Sequence, residues 1–260
     1  MEDAVWARSE ELKKAEESDI RRAEAGKFSS GSDFSTYYAY KTGENRELIR
    51  HHAVSEDARA SEYVHNVDSI LGMFGLGFRG NIIDLGCAIG IIPEHIRKIS
   101  GEGCATVIDI SETAIEVARR DYPGCSFSCQ PADDLSNFPD NHADIIHGRE
   151  FYPFTRTNDA DYQVDILNGY LLKLKSGGAV VLSMVCLSKG LCNNWRSARL
   201  RMLESGYDTA ERKMLIHPGL FSRWGAICYS QPLYALLVLA QHALGRMLGR
   251  KNTYVYIFIR

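Results

Sequence analysis

The chain has 260 residues, 45% hydrophobic and 24% charged, with a net charge of −3 at neutral pH. That is enough for one α/β core with an appendage, and it excludes a global field that would recruit nucleic acid or an anionic membrane, though not a local basic patch. The seven cysteines (Cys87, Cys104, Cys125, Cys129, Cys186, Cys192 and Cys228) are odd in number and contain no CxxC pair, which argues against a disulfide framework or a zinc site and for reduced thiols in a cytoplasmic protein.

The opening MEDAVWARSEELKK has no apolar run and does not read as a signal peptide. Glu2 to Lys27 reads as one strongly charged, largely solvated helix, followed by a Ser-, Gly- and Tyr-rich stretch, Phe28 to Gly43, carrying Tyr37, Tyr38 and Tyr40. Ala60, Val64, Val67, Leu71 and Phe74 recur every three or four residues, which predicts a helix from about Ser55 to Phe74, ended by Gly75 and Gly77.

The pattern then changes to strand–helix alternation. NIIDL (81–85), ATVIDI (105–110), CSFSCQ (125–130), ADIIHG (143–148) and AVVLSMVCL (179–187) read as strands. The intervening helices are Ile92 to Ser100, 111–122 with Ser111 as N-cap, and Gln163 to Leu174. This order means right-handed crossovers and a mostly parallel sheet. TYVYIFIR (253–260) is a further strand, and the roughly 65 residues before it, Ser188 to Asn252, look largely helical. Four regions follow: an N-terminal arm (1–54), the core (55–187), a helical substrate-side insertion (188–252) and the last strand (253–260). Within the insertion, Leu233 to Ala240 is eight residues long, against roughly 20 needed to span a bilayer.

The informative segment is IIDLGCAIG, Ile82 to Gly90: a strand ends on a carboxylate, and the chain turns through small residues into a helix. Ligands of doubly wound sheets bind at such C-terminal strand edges, where small residues let the backbone approach closely. About twenty residues on, VIDIS places Asp109 at the end of the next strand, where a carboxylate can accept from both hydroxyls of a ribose. A dinucleotide dehydrogenase needs G-x-G-x-x-G, but from Gly86 the positions read Gly86, Ala88 and Ile91, and Asp84 would repel a pyrophosphate. A nucleoside with a cationic aminoacyl end and no phosphate suits this turn better.

IIDLGCAIG, EHIRKI, VIDISETAIEVARR, PADDLSNFPDNHADII and LLKLKSGGAVVLS together resemble, in order, the class I S-adenosylmethionine-dependent methyltransferase family over roughly Ile82 to Val185. The resemblance implies a seven-stranded, mostly parallel Rossmann-like sheet with helices on both faces and TYVYIFIR as its antiparallel last strand. It implies S-adenosylmethionine as cofactor, with Asp84, Gly86, Cys87, Ala88 and Gly90 around the aminoacyl end and ribose. Asp109 would hold the ribose hydroxyls and Ile110 the adenine face; Ala132 and Asp133 would lie at the adenine edge, Gly148 and Arg149 near the sulfonium, and Tyr38 would also contact the cofactor. Two departures stand out: Ala88 replaces a usual glycine, and Pro131 occupies the place of the usual adenine-contacting carboxylate, leaving Asp133 or Asp134 as substitutes.

The acceptor is less legible. A hydroxyl acceptor needs a base, and the candidates are Glu150, His147 and His217, with His51 and His52 beyond them. His147 also reads as a satisfied core histidine, and Cys87 as a small buried residue without a cationic neighbour to activate it. The sequence after the fourth strand, GREFYPF, lacks the motif of amino-directed DNA methyltransferases, there is no paired-glutamate loop, and no Asp-Asn pair follows the fifth strand. What remains is a metal-independent transfer to a small molecule or saccharide, with no nucleic-acid partner. Tyr37, Tyr38, Phe151, Tyr152 and Phe154 are candidates for a lid or for core. The helix at 231–251 reads either as packed on the core or as a peripheral contact to a membrane or lipid-linked acceptor. Two other functional classes stay open: a catalytically silent cofactor-binding partner that activates another subunit, and a nicotinamide oxidoreductase.

Overall fold

The computed structural model describes residues 46–101, 105–155, 159–184, 189–204, 210–215 and 253–260, with residues 237, 240 and 243. In chain order the elements are α1 (Arg46–Gly72), β1 (Ile82–Leu85), α2 (Ile91–Ser100), β2 (Ala105–Asp109), α3 (Glu112–Asp121), β3 (Ser126–Cys129) and β4 (Ala143–Arg149). After these come α4 (Tyr152–Thr155), α5 (Ala160–Lys173), β5 (Leu174–Met184), α6 (Lys189–Glu204), β6 (Ala210–Leu215) and β7 (Tyr254–Ile259).

The seven strands form one sheet in the order β3-β2-β1-β4-β5-β7-β6. The pairs from β3 to β5 are parallel, and β7 runs antiparallel to both β5 and β6. The chain winds outward from β1 to β3 and then returns to the other side of β1 as β4. Strand order therefore reverses between β1 and β4, and a crevice opens at their carboxyl ends.

Helices cover both faces, which is why the central strands are apolar at nearly every position. Ile82, Val107, Ile145, Val181 and Ile257 pack on one face against Val64, Val67, Ile70 and Leu71 of α1 and Ile96 of α2. Their chain neighbours Ile83, Ile108, Ile146, Leu182 and Phe258 pack on the other, against Ile166, Leu167 and Tyr170 of α5 and Trp195 of α6. The period-2 alternation of strand side chains makes one short apolar run serve two cores.

Most expected elements form, with shifted ends. α1 begins at Arg46, nine residues before the expected start, and β5 takes in the Ser-Gly-Gly turn, starting at Leu174. The largest difference lies in the 188–252 segment, read as largely helical: besides α6 it supplies β6. AERKML has no apolar alternation because it is an edge strand, and charges on an edge deter further pairing. Its Glu211 accepts from Arg199 Nε on α6 at 2.6 Å, tying the edge to the helix that covers it. Of 231–251 only Leu237, Ala240 and Ala243 are described; Leu237 packs against the α1-side core. No helix among the described residues is long and apolar enough to cross a membrane. The expected charged helix at 2–27, with Tyr37, Tyr38 and Tyr40, lies outside the described residues.

Phe154 is core. It is 2% exposed, with its ring 5.2 Å from that of Trp195, edge to face, and 6.3 Å from Tyr170. Phe154→Ala is expected to lower the unfolding free energy by about 3–5 kcal/mol in urea titrations. A loss under about 1 kcal/mol would place the ring in a lid instead.

Candidate functional site

Between β1 and α2 the chain turns through three left-handed residues in five: Gly86 (φ 68°), Ala88 (φ 51°) and Gly90 (φ 86°). The two glycines do different work. A Cβ on Gly86 would lie 2.9 Å from the Phe151 ring, so that ring packs directly on the backbone of the turn. A Cβ on Gly90 would meet Ala118 and Tyr122 at 3.0 Å and Phe127 at 3.2 Å, so Gly90 lets α2 start close against α3 and β3. Gly90 therefore serves helix packing, its open side closed by three side chains. Gly86 N and Cys87 N both donate to the Ile108 carbonyl, at 2.8 and 3.2 Å, pinning the turn to β2.

Ala88 has a Cβ and is disfavoured in this conformation by about 1–2 kcal/mol. Its N–H donates to Asp109 Oδ2 at 2.8 Å, while Asp109 Oδ1 accepts from Ser111 N at 2.9 Å. Ser111 itself caps α3, its Oγ accepting from Ala114 N at 3.3 Å. Asp109 is thus a brace between turn and strand rather than a helix cap. The Ile110 backbone N–H is a third donor, and of a carboxylate's roughly four acceptor positions about one remains. Asp109 is 4% exposed, and burial pushes its acid form up against the opposing pull of the backbone donors. Beside it, Ile110 is 41% exposed, an apolar side chain held out at the sheet edge.

Across the crevice, the Ala132 carbonyl accepts from Tyr170 Oη, and Asp133 Oδ2 accepts from Tyr162 Oη at 2.6 Å. Asp134 turns away to accept from Ser136 N at 2.8 Å, which lowers its acid form below the usual range.

Three neighbouring strands contribute to a buried polar chain. Asp84 and His147 are register partners on β1 and β4, and Arg149 pairs with Ser183 across β4 and β5. His147 Nδ1 bonds to Asp84 Oδ1, and its Nε2 lies 2.8 Å from Tyr63 Oη. Tyr63 Oη is also 2.6 Å from Ser183 Oγ. One arrangement accounts for all three contacts: Nδ1–H donates to Asp84, Nε2 accepts from Tyr63, and Tyr63 accepts from Ser183. Burial raises the Tyr63 phenol far above its ordinary value, so it stays protonated. Tyr63 and Ser183 are the participants that residue patterns missed: a tyrosine on an amphipathic helix and a serine in an apolar strand carry no signal of partnership.

A family profile described as a methyltransferase domain matches residues 82–178. These residues contain the turn, Asp109, the crevice and the buried histidine. Residues 82–178 are a methyltransferase domain on a Rossmann-like sheet. Among solved structures, the plantazolicin methyltransferase BpumL, in complex with a triazolic desmethylPZN analog and SAH, is similar at 15% identity and a TM-score of 0.56, covering 96% of this chain and 99% of that one. The plantazolicin methyltransferase BamL is similar at 14% identity and a TM-score of 0.54, covering 97% and 98%. No curated protein matches by sequence.

Within the methyltransferase domain, the remaining candidates separate by position. His147 is removed from the candidate bases: it is fully buried, both ring nitrogens are engaged, and Phe78 packs edge-on against it at 5.5 Å. Glu150 is exposed at the end of β4 with φ 49°, a second non-glycine residue in the left-handed region at this edge. Gly148 is buried against Leu182, Phe151 and Leu85, and Arg149 is exposed on the opposite face of the strand, its guanidinium over Tyr63. Cys87 is 7% exposed and its thiol is pushed up by burial, as expected of an inert core residue. Cys87, Cys125 and Cys129 are free thiols. Tyr38 and His217 lie outside the described residues, as do the side chains of His51, His52 and Tyr152.

The raised acid form of Asp109 has a signed consequence. Folding favours its protonated state, so its contribution to stability is full below about pH 4, the unfolded value, and is lost as pH rises through the folded value. Asp109→Asn is expected to gain stability relative to wild type as pH is raised from about 4 to 7. A pH-independent difference in unfolding midpoint would show that burial does not govern this carboxyl.

Proposed function

We propose that this protein transfers the methyl group of S-adenosylmethionine to a hydroxyl of a small-molecule or saccharide acceptor, without a metal ion. The observation that carries the cofactor side is the Asp109 brace. The turn is pinned to β2, the carboxylate beside it keeps acceptor capacity for a ribose hydroxyl, and Ile110 offers an apolar platform for a base. These features fit a nucleoside with an aminoacyl tail. Reading Gly86, Ala88 and Ile91 in place of G-x-G-x-x-G, with Asp84 just before, the turn is poorly suited to a pyrophosphate, which keeps the nicotinamide oxidoreductase reading behind this one.

The cofactor when bound supplies a methyl group on a sulfonium, a good electrophile. The protein's part is to align the acceptor with it, exclude water and take a proton. Asp84, Gly86, Cys87, Ala88 and Gly90 form or brace the turn, Asp109 and Ile110 hold the nucleoside, and Ala132 and Asp133 border the base. Gly148 and Phe151 close the floor between turn and β4. Glu150 is the described carboxylate best placed to accept a hydroxyl proton, since it is exposed at the strand end that meets the turn. His217 and Tyr38 remain candidates from outside the described residues. The absence of an Asp-Asn pair after β5 supports the metal-independent form, and the plantazolicin enzymes of like fold, crystallised with desmethylPZN analogs, support an organic acceptor rather than nucleic acid.

We assign acceptor selection to the arm (1–54) and the 188–252 insertion around the core (55–187) and last strand (253–260), because specificity in this fold resides in grafted segments. The packing of Leu237 supports a core role for the 231–251 segment over a peripheral membrane or lipid-linked contact. The thiol-rich, pair-free cysteine pattern supports a cytoplasmic location.

Calorimetric titration with S-adenosylhomocysteine tests the cofactor site. Asp109→Ala is expected to weaken binding at least about tenfold, since hydrogen bonds to a charged acceptor contribute about 1.5–3 kcal/mol. Unchanged affinity would overturn the assignment. Turnover with any hydroxyl acceptor in a panel establishes the transferase, whereas tight binding with no turnover favours the alternative of a silent partner subunit.

A further inference from the structure

The buried chain Asp84–His147–Tyr63–Ser183 meets an exposed charged side chain at the face of the Tyr63 ring. Arg149 lies on that face, its guanidinium carbon 4.6 Å from the ring centroid. Strand alternation puts Arg149, His147 and Asp84 on the α1 side of the sheet, and the register that pairs Leu85 with Gly148 sets Arg149 beside the start of the 86–90 turn. The platform is fixed from beneath, because the phenol oxygen is held by both His147 and Ser183.

A free arginine side chain loses about 2 kcal/mol of rotamer freedom when it is ordered by a ligand. Stacked on a tethered ring, Arg149 has already lost part of that freedom, and its planar edge of N–H donors is still available. No ion pair among the described residues uses Arg149, and the Asp84 carboxylate below it is engaged by His147. A cation presented this way calls for an anion. The sulfonium is the wrong partner, since like charges a few ångströms apart repel. The aminoacyl tail of the same cofactor carries a carboxylate, which a guanidinium can bind through two parallel N–H bonds.

Resting on the cofactor reading above, we propose that Arg149, laid on Tyr63, binds the carboxylate at the aminoacyl end of the cofactor, and that Tyr63 is its positioning residue through Ser183 and the His147–Asp84 pair. This moves Arg149 from the sulfonium, where the family resemblance put it, to the far end of the tail. The Asp84 carboxylate acts through His147 and Tyr63 rather than on the ligand.

Two ligands separate this proposal from the reading beneath it. S-adenosylhomocysteine has the tail, and 5′-methylthioadenosine is the same nucleoside thioether without it. In calorimetry, Arg149→Gln is expected to weaken S-adenosylhomocysteine roughly tenfold or more while leaving 5′-methylthioadenosine unchanged. Tyr63→Phe keeps the ring but frees it, and is expected to give a smaller loss confined to the ligand with the tail. Thermal melts of both variants control for folding; Arg149 is exposed, so its variant tests the proposal even if Tyr63→Phe is destabilised. Equal losses for the two ligands in Arg149→Gln, or no loss for either, overturn it. Unchanged S-adenosylhomocysteine affinity with a raised acceptor KM also overturns it, by assigning Arg149 to a carboxylate on the acceptor. If wild type binds neither ligand, the cofactor reading itself fails.

Discussion

The structure of the crevice depends on one carboxylate-to-backbone contact, the bond from Ala88 N–H to Asp109. A turn with a left-handed alanine is not a conformation that five residues would keep unaided. It persists because β2 supplies a carbonyl to Gly86 and Cys87 and a carboxylate to Ala88, so the neighbouring strand over-determines it. The same bonds leave Asp109 aimed at the crevice with unused acceptor capacity. Bracing and the recognition proposed for Asp109 thus fall to one side chain, and the alanine that replaces the family's usual glycine makes the brace more necessary.

The second constraint runs beneath the first. Four polar groups from β1, β4, β5 and α1 are removed from water and saturate one another, and burial of any of them alone would cost several kcal/mol. Such a chain fixes the seat of α1 on the sheet more sharply than apolar packing does, since hydrogen bonds specify direction and hydrophobic contacts do not. Its effect at the surface is to hold a fixed aromatic face beneath Arg149. Strain at Glu150 and order at Arg149 occur on adjacent residues, so the end of β4 is shaped from below.

Residue patterning carried much of this. Strand–helix alternation from 82 to 184 and the β-branched, aromatic run at 254–259 identified a doubly wound sheet, because buried parallel strands must be apolar throughout. Asp84, Gly86 and Asp109 were legible as a set because their spacing reflects a strand, a turn and the next strand. β6 was not legible: an edge strand shows charge where a central one shows alternation.

By itself, then, the sequence determined the architecture, the cofactor class and the acidic residue at the tip of β2, since these follow from local periodicity and from the few residue types a tight turn admits. Only the tertiary structure decided what the remaining polar residues do. His147 became a core member rather than a base, Phe154 core rather than lid, Gly90 a packing glycine, and Tyr63 the partner of a histidine 84 positions away and of a serine 120 positions away. The reason is physical: a hydrogen bond across strands depends on register and on which face each side chain takes, and neither is written in the neighbours of any one residue.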